Sequence, residues 1–130
     1  MQTVDKARDL LHGYQTGNVL AADCPSRVVL HHLTSRWGAL VMIALATGTH
    51  RFSALRRKIN GVSERMLAQT LQHLEADGFV QRTAFDVVPP HVEYALTPLG
   101  VEAAARVVEL SSWIEANLLQ ILDKNARKAA

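Results

Sequence analysis

Between Gly78 and Thr97 the chain leaves helical spacing for a period of two, and a pair of prolines falls in the middle of that stretch. Phe79 to Val88 is rich in Val, Thr and Phe and reads as a strand. Pro89-Pro90 must be a turn, because neither residue can donate to a ladder. Val92, Tyr94 and Leu96 then alternate with His91, Glu93 and Ala95, the pattern of a half-buried return strand. Thr97 is expected to cap a final helix, with Pro98 at its first position, running to about Lys124.

A hairpin followed at once by a capped helix restricts what the preceding residues can form. Val4 to Leu11 reads as a first helix ending near Gly13, with a polar link through Gly17. Pro25 opens a second helix that reaches about Leu33. Trp37, Leu40, Val41, Ala44 and Leu45 repeat at helical spacing and stop at Gly48, with Trp37 expected in the core. Arg51-Phe52-Ser53 starts the next helix with Ser53 as N-cap; Leu55 and Ile59 give it an apolar stripe, and Gly61 ends it. Ser63 caps another helix, which Gly78 stops. Two short helices about a glycine turn make a helix-turn-helix pattern. The expected fold is therefore mainly α with a small β-hairpin wing, a winged helix-turn-helix with additional N- and C-terminal dimerisation helices. Residues 1–130 read as one domain: an N-terminal helix and link over 1–22, a winged-helix core over 23–97 and a dimerisation helix over 98–130.

Charge is unevenly placed. Between Arg51 and Arg82 lie six basic residues, Arg51, Arg56, Arg57, Lys58, Arg65 and Arg82, against Glu64, Glu75 and Asp77. That segment carries +3, while the chain as a whole carries only +2. A basic block is either a solvated face or a surface that neutralises phosphates and releases their counterions. The helix after Ser63 separates the two readings. At about 100° per residue, Met66, Leu67, Thr70, Leu71 and Leu74 fall on one side, with Met66 expected to be buried. Arg65, Ala68, Gln69, Gln72 and Ala76 fall on the other. That second side has no carboxylate at its centre and small alanines that permit close approach, which suits a major groove. Ser63, Arg65, Gln69 and Gln72 are the candidate base-reading group, with Ser63 at the helix start also suited to a phosphate. Arg51, Ser53, Arg56, Arg57 and Lys58 on the preceding helix, with Arg82 and His91 on the hairpin, are the candidate phosphate contacts. The competing reading is a winged helix that serves as a protein-interaction module without specific DNA binding. Salt separates them, since phosphate contacts weaken steeply as salt is added.

Other chemistries find no support. His31 and His32 are adjacent and point about 100° apart on a helix, and His12, His50, His73 and His91 are scattered. No metal is expected. No Gly-rich phosphate loop, nucleophile elbow or paired-carboxylate constellation appears, so neither an enzyme nor a cofactor is expected. The longest apolar run, Ala39 to Ala46, is too short to span a bilayer, and the polar start is the wrong one for secretion. A cytoplasmic protein with no membrane partner is expected. Ala103, Val107, Leu110, Ile114 and Ile121, widened by Trp113, Leu118 and Leu119, form a seam able to pair with a second copy.

Cys24 is the one cysteine, which excludes an intrachain disulfide. It reads either as a small buried hydrophobe or as a reactive thiol, since the start of the Pro25 helix and Arg27 favour a thiolate while Asp23 opposes it.

Several segments together resemble the HxlR-type, MarR-like bacterial transcription regulators, and their YtfH branch in particular. They are Cys24-Pro25-Ser26, Ser35-Arg36-Trp37, His50-Arg51-Phe52-Ser53 and Leu55-Arg56-Arg57. They continue with Val62-Ser63, Arg65-Met66-Leu67-Ala68-Gln69 and Leu74-Glu75-Ala76-Asp77-Gly78. Val88-Pro89-Pro90-His91-Val92-Glu93-Tyr94 and Leu96-Thr97-Pro98-Leu99-Gly100 complete the set. The resemblance implies a homodimer that binds a palindromic operator in double-stranded DNA and regulates nearby genes. It also implies that Cys24 acts as a redox sensor for oxidants or electrophiles, or that another small-molecule signal is read.

Overall fold

A computed structural model describes residues 2–12 and 19–129. The elements follow in the order α1 (Gln2–His12), α2 (Pro25–Thr34), α3 (Arg36–Leu45), β1 (His50–Arg51), α4 (Phe52–Lys58) and α5 (Glu64–Ala76). β2 (Val80–Phe85), β3 (His91–Leu96), α6 (Pro98–Ala116) and α7 (Leu118–Ala129) complete the chain. This is the expected winged helix-turn-helix: α4 and α5 form the helix pair and β2–β3 the wing. Gly13 and Gly17, expected to end the first helix and form the link, lie outside the described residues.

The sheet has three antiparallel strands in the order β1-β3-β2. Val80 faces Leu96 at one end of the wing and Phe85 faces His91 at the other. The expected strand to Val88 stops at Phe85, because β3 begins at His91 and offers no partner beyond it. β1 was not expected: His50 pairs with Tyr94 and Arg51 with Glu93, two residues that leave no periodicity to read.

Capping sets the helix starts. The Ser63 hydroxyl accepts from the Met66 amide at 3.1 Å, and Thr97 accepts from the Gly100 amide at 3.0 Å. Thr97 also donates its hydroxyl to the Gly78 carbonyl at 2.6 Å and so ties the start of α6 to the end of α5. Gly61, at φ +91°, makes the turn between α4 and α5 in the left-handed region that favours glycine. Gly100 is required for a different reason, since a Cβ there would run into the Phe79 carbonyl.

Two expectations about ends are corrected. Ser53 is not the N-cap of α4: Arg51 holds that place, with extended backbone and no side-chain cap bond, and Ser53 lies in the first turn. Here β1 leads straight into the helix, so its last residue is the last extended one. The single final helix is two, interrupted at Asn117, which has φ −114° and ψ 11°. Its side-chain amide donates to the Trp113 carbonyl at 2.8 Å, the local bond by which Asn competes with a helix ladder.

The core lies where α3, α4, α5, the wing and α6 meet. Val41, Met42, Leu55, Leu67, Leu71 and Leu74 are essentially fully buried, with Ile59, Val62, Phe79, Val80, Tyr94 and Ala104 around them. Trp37 is half-buried and packs against this cluster, as expected. Met66 does not: it is 40% exposed. It sits at the first turn of α5 on the edge of the helix, and Leu67, Thr70, Leu71 and Leu74 alone close the core.

Candidate nucleic-acid interface

Because α5 drives Leu67, Leu71 and Leu74 inward, Arg65, Gln69, Gln72 and Ala76 stand outward on one exposed face at spacings of four and three. Ala68 is half-buried at its margin. Glu64 and Glu75 flank one edge of this face, and Met66 and His73 flank the other. Ser63 is exposed at its start, with its oxygen already accepting from the helix and its O–H left to donate.

Exposed cations lie on the elements that precede and follow α5. Arg51, Ser53, Arg56, Arg57 and Lys58 are all exposed on the β1–α4 segment. Arg56 lies 3.9 Å from Glu64, an exposed pair that contributes little and can be exchanged for a phosphate. Lys58 donates to His50 Nε2 at 3.0 Å, while His50 Nδ1 donates to the Gly48 carbonyl at 2.7 Å. That chain holds the Lys58 ammonium and was not visible in the sequence, because it depends on β1 carrying His50 past the end of α4.

Arg82 is exposed on β2, opposite Tyr94. His91 is engaged within the wing itself. Its ring stacks on Phe85 with centroids 4.8 Å apart, and its Nε2 lies 3.1 Å from Glu93. Cys24 is buried, 7% exposed, at the N-cap position of α2. Arg27 donates to the Leu20 carbonyl at 3.3 Å.

Sequence reasoning missed one polar cluster. His32 on α2 meets Asp77 at the end of α5, with Nδ1 to Oδ2 at 2.6 Å, and its ring stacks on His73 with centroids 4.5 Å apart. The partners lie 45 residues apart, so no spacing rule could have joined them. Among the described residues, no group of three or more His, Cys, Asp or Glu is placed to hold a metal, and no single helix is long and apolar enough to cross a membrane.

The C-terminal seam divides. Ala103 and Val107 are half-buried and pack against the chain's own core. Leu110, Trp113, Ile114, Leu119 and Leu122 are exposed, Trp113 at 59% and Leu119 at 83%.

Known proteins share this arrangement. The family model described as HxlR-like helix-turn-helix matches residues 32–121. The HTH-type transcriptional regulator YtfH of Escherichia coli (strain K12) is 60% identical over 114 residues, covering 88% of this chain and 90% of that one. The solved structure of the transcriptional regulator YtfH from Salmonella typhimurium has a TM-score of 0.81 at 60% identity, covering 85% of this chain and 98% of that one. The redox regulator HypR in its reduced form is similar at a TM-score of 0.68 and 33% identity, covering 77% of this chain and 98% of its own. The diamide-treated YodB of B. subtilis matches at 0.61 and 30%, covering 74% and 96%. These relatives are regulators of transcription and not enzymes. The chain belongs to the HxlR-like helix-turn-helix family of transcriptional regulators.

Proposed function

We propose that the chain binds a palindromic operator in double-stranded DNA as a homodimer, with α5 in the major groove. One observation carries this reading: α5 buries its leucines and turns Arg65, Gln69 and Gln72 outward together, while exposed cations stand on the preceding helix and on the wing. Arg65 is suited to guanine, Gln69 and Gln72 to adenine, and Ser63 to the neighbouring phosphate or base edge. Arg51, Ser53, Arg56, Arg57 and Lys58 supply phosphate contacts that fix register without reading sequence. Arg82 adds one at the flank, and His91 adds another only when Glu93 releases it. The exposed apolar residues of α6 and α7 supply the dimer contact. The α5 helices of the two copies then lie about one turn of DNA apart, roughly 34 Å.

Cys24 is the proposed signal site. Support comes from the similarity to a redox regulator and to a diamide-treated structure, together with the position of Cys24 at the start of α2. Oxidation there by diamide with a small thiol present forms a mixed disulfide, which cannot remain in a 7%-exposed position without moving α2.

Footprinting on the promoter beside the chain's own gene tests both parts. Two protected half-sites, lost on diamide treatment in wild type and retained in Cys24→Ser, are the expected result. No protection would overturn the operator reading, and equal sensitivity of the two proteins would remove Cys24 from it.

A further inference from the structure

The three-stranded sheet carries one carboxylate, Glu93, in the middle of β3. Its register places it directly opposite Arg51 on β1 and Thr83 on β2. Residues directly opposite in an antiparallel sheet point to the same face, with Cβ atoms about 4.5–5.5 Å apart. His91 lies two residues before Glu93 and shares that face, in keeping with its stack on the opposite Phe85. Arg82 is opposite Tyr94 and belongs to the other face. Glu93 therefore stands beside both a guanidinium and an imidazole, with no second carboxylate on the sheet to share the role.

The bond to His91 does not depend on the charge of the ring. A carboxylate can only accept, so Nε2, 3.1 Å away, donates to it in the neutral and the charged ring alike. The two side chains are 18% and 31% exposed, so salt screens this pair less than one wholly in water. Among the described residues no direct ion pair joins Arg51 to Glu93, and Arg51 remains exposed. Opposite positions on neighbouring strands still keep the two charges within the ~10 Å Debye length at 0.1 M salt. Arg51, Ser53 and His91 also line one open cleft of about 450 Å³ between the start of α4 and the wing. A phosphate entering that cleft meets a donor that Glu93 already occupies and a cation whose charge Glu93 already offsets.

We propose that Glu93 is an internal competitor of the DNA backbone. Its carboxylate holds the Nε2–H of His91 and offsets the charge of Arg51, which sets the affinity for phosphate below what those residues would otherwise give. The effect is independent of base sequence, because it acts on backbone contacts and not on base edges. It rests on the reading that the chain binds DNA. A carboxylate that served only to order the wing would have a different signature, since its loss would weaken binding or leave it unchanged.

Fluorescence anisotropy of the full chain with two labelled duplexes, one from the adjacent promoter and one unrelated, tests this across a salt series. Glu93→Gln keeps the length of the side chain and an oxygen that accepts from His91, but removes the charge. It should bind both duplexes more tightly, by about eightfold at 0.1 M salt, and steepen the slope of log affinity against log salt by about 0.9, the effect of one added phosphate contact. Arg51→Gln should cost more in the Glu93→Gln background than in wild type. In wild type it should also lower the salt slope by less than Arg57→Gln does, a comparison that stands even if Glu93→Gln fails to fold. Equal or weaker binding by a folded Glu93→Gln, or equal slope losses for Arg51→Gln and Arg57→Gln, would overturn the proposal while wild type still binds DNA. A wild type that binds neither duplex would remove the DNA reading and this inference with it.

Discussion

Gln69 and Arg57 are both exposed polar residues within the same helix pair, yet they should fail in different ways when replaced. Gln69 stands on the outward face of α5 among small neighbours, where a side-chain amide can meet a base edge. Gln69→Ala should cost about 1–3 kcal/mol on the preferred operator and relax one position per half-site, read by competition among duplexes. Arg57 lies on α4, beside and not on that face. Arg57→Ala should weaken all sequences alike and lower the slope of log affinity against log salt by about one. A salt slope unchanged from wild type would remove Arg57 from the phosphate contacts. In the core the same logic is simpler. Leu71 is 1% exposed, and Leu71→Ala should cost about 2–5 kcal/mol in urea unfolding with little change in the urea dependence. Burial of Leu67, Leu71 and Leu74 was legible from their spacing. Exposure of Met66 was not, because an angle on a helical wheel does not say how far the core extends along the axis.

At the level of elements, the junction of α5, β2 and α6 holds the helix pair to the wing. Thr97 binds the Gly100 amide and the Gly78 carbonyl, and its own amide donates to the Phe79 carbonyl at 3.0 Å. Thr97→Ala should therefore cost more than the ~1 kcal/mol of a usual cap. Gly100→Ala should be worse, since the methyl must displace the Phe79 backbone; thermal unfolding would rank the two. A Gly100→Ala protein as stable as wild type would contradict this close approach. The sequence was most informative where residue chemistry dictates backbone geometry: Thr97-Pro98 at the start of α6, Gly61 in the turn, Ser63 at the cap and Pro89-Pro90 closing the wing. It was least informative where tertiary partners decide. The two residues of β1 exist because β3 is beside them, and the bond between His32 and Asp77 joins helices whose approach no local pattern encodes. The break at Asn117 falls between these cases. Asn is a poor interior helix residue, but the apolar spacing on both sides concealed the interruption.

At the scale of the whole molecule, the proposed function depends on two copies holding two α5 helices at a fixed distance. Leu110, Trp113 and Ile114 on α6, with Leu119 and Leu122 on α7, form an apolar surface left uncovered by the chain's own core. Light scattering should give the mass of a dimer at micromolar concentration. Trp113→Glu should shift it toward the monomer without unfolding the core, since Trp113 is 59% exposed in the single chain. That variant should also lose operator affinity while keeping α5 intact, because each half-site then acts alone. The most direct test of the central claim, that the outward face of α5 reads DNA, is a footprint of wild type and Gln69→Ala on the adjacent promoter at matched salt. The expected result is two protected half-sites about one helical turn apart, with base preference relaxed at the same position of each in the variant. Identical footprints and identical base preferences for the two proteins would contradict it.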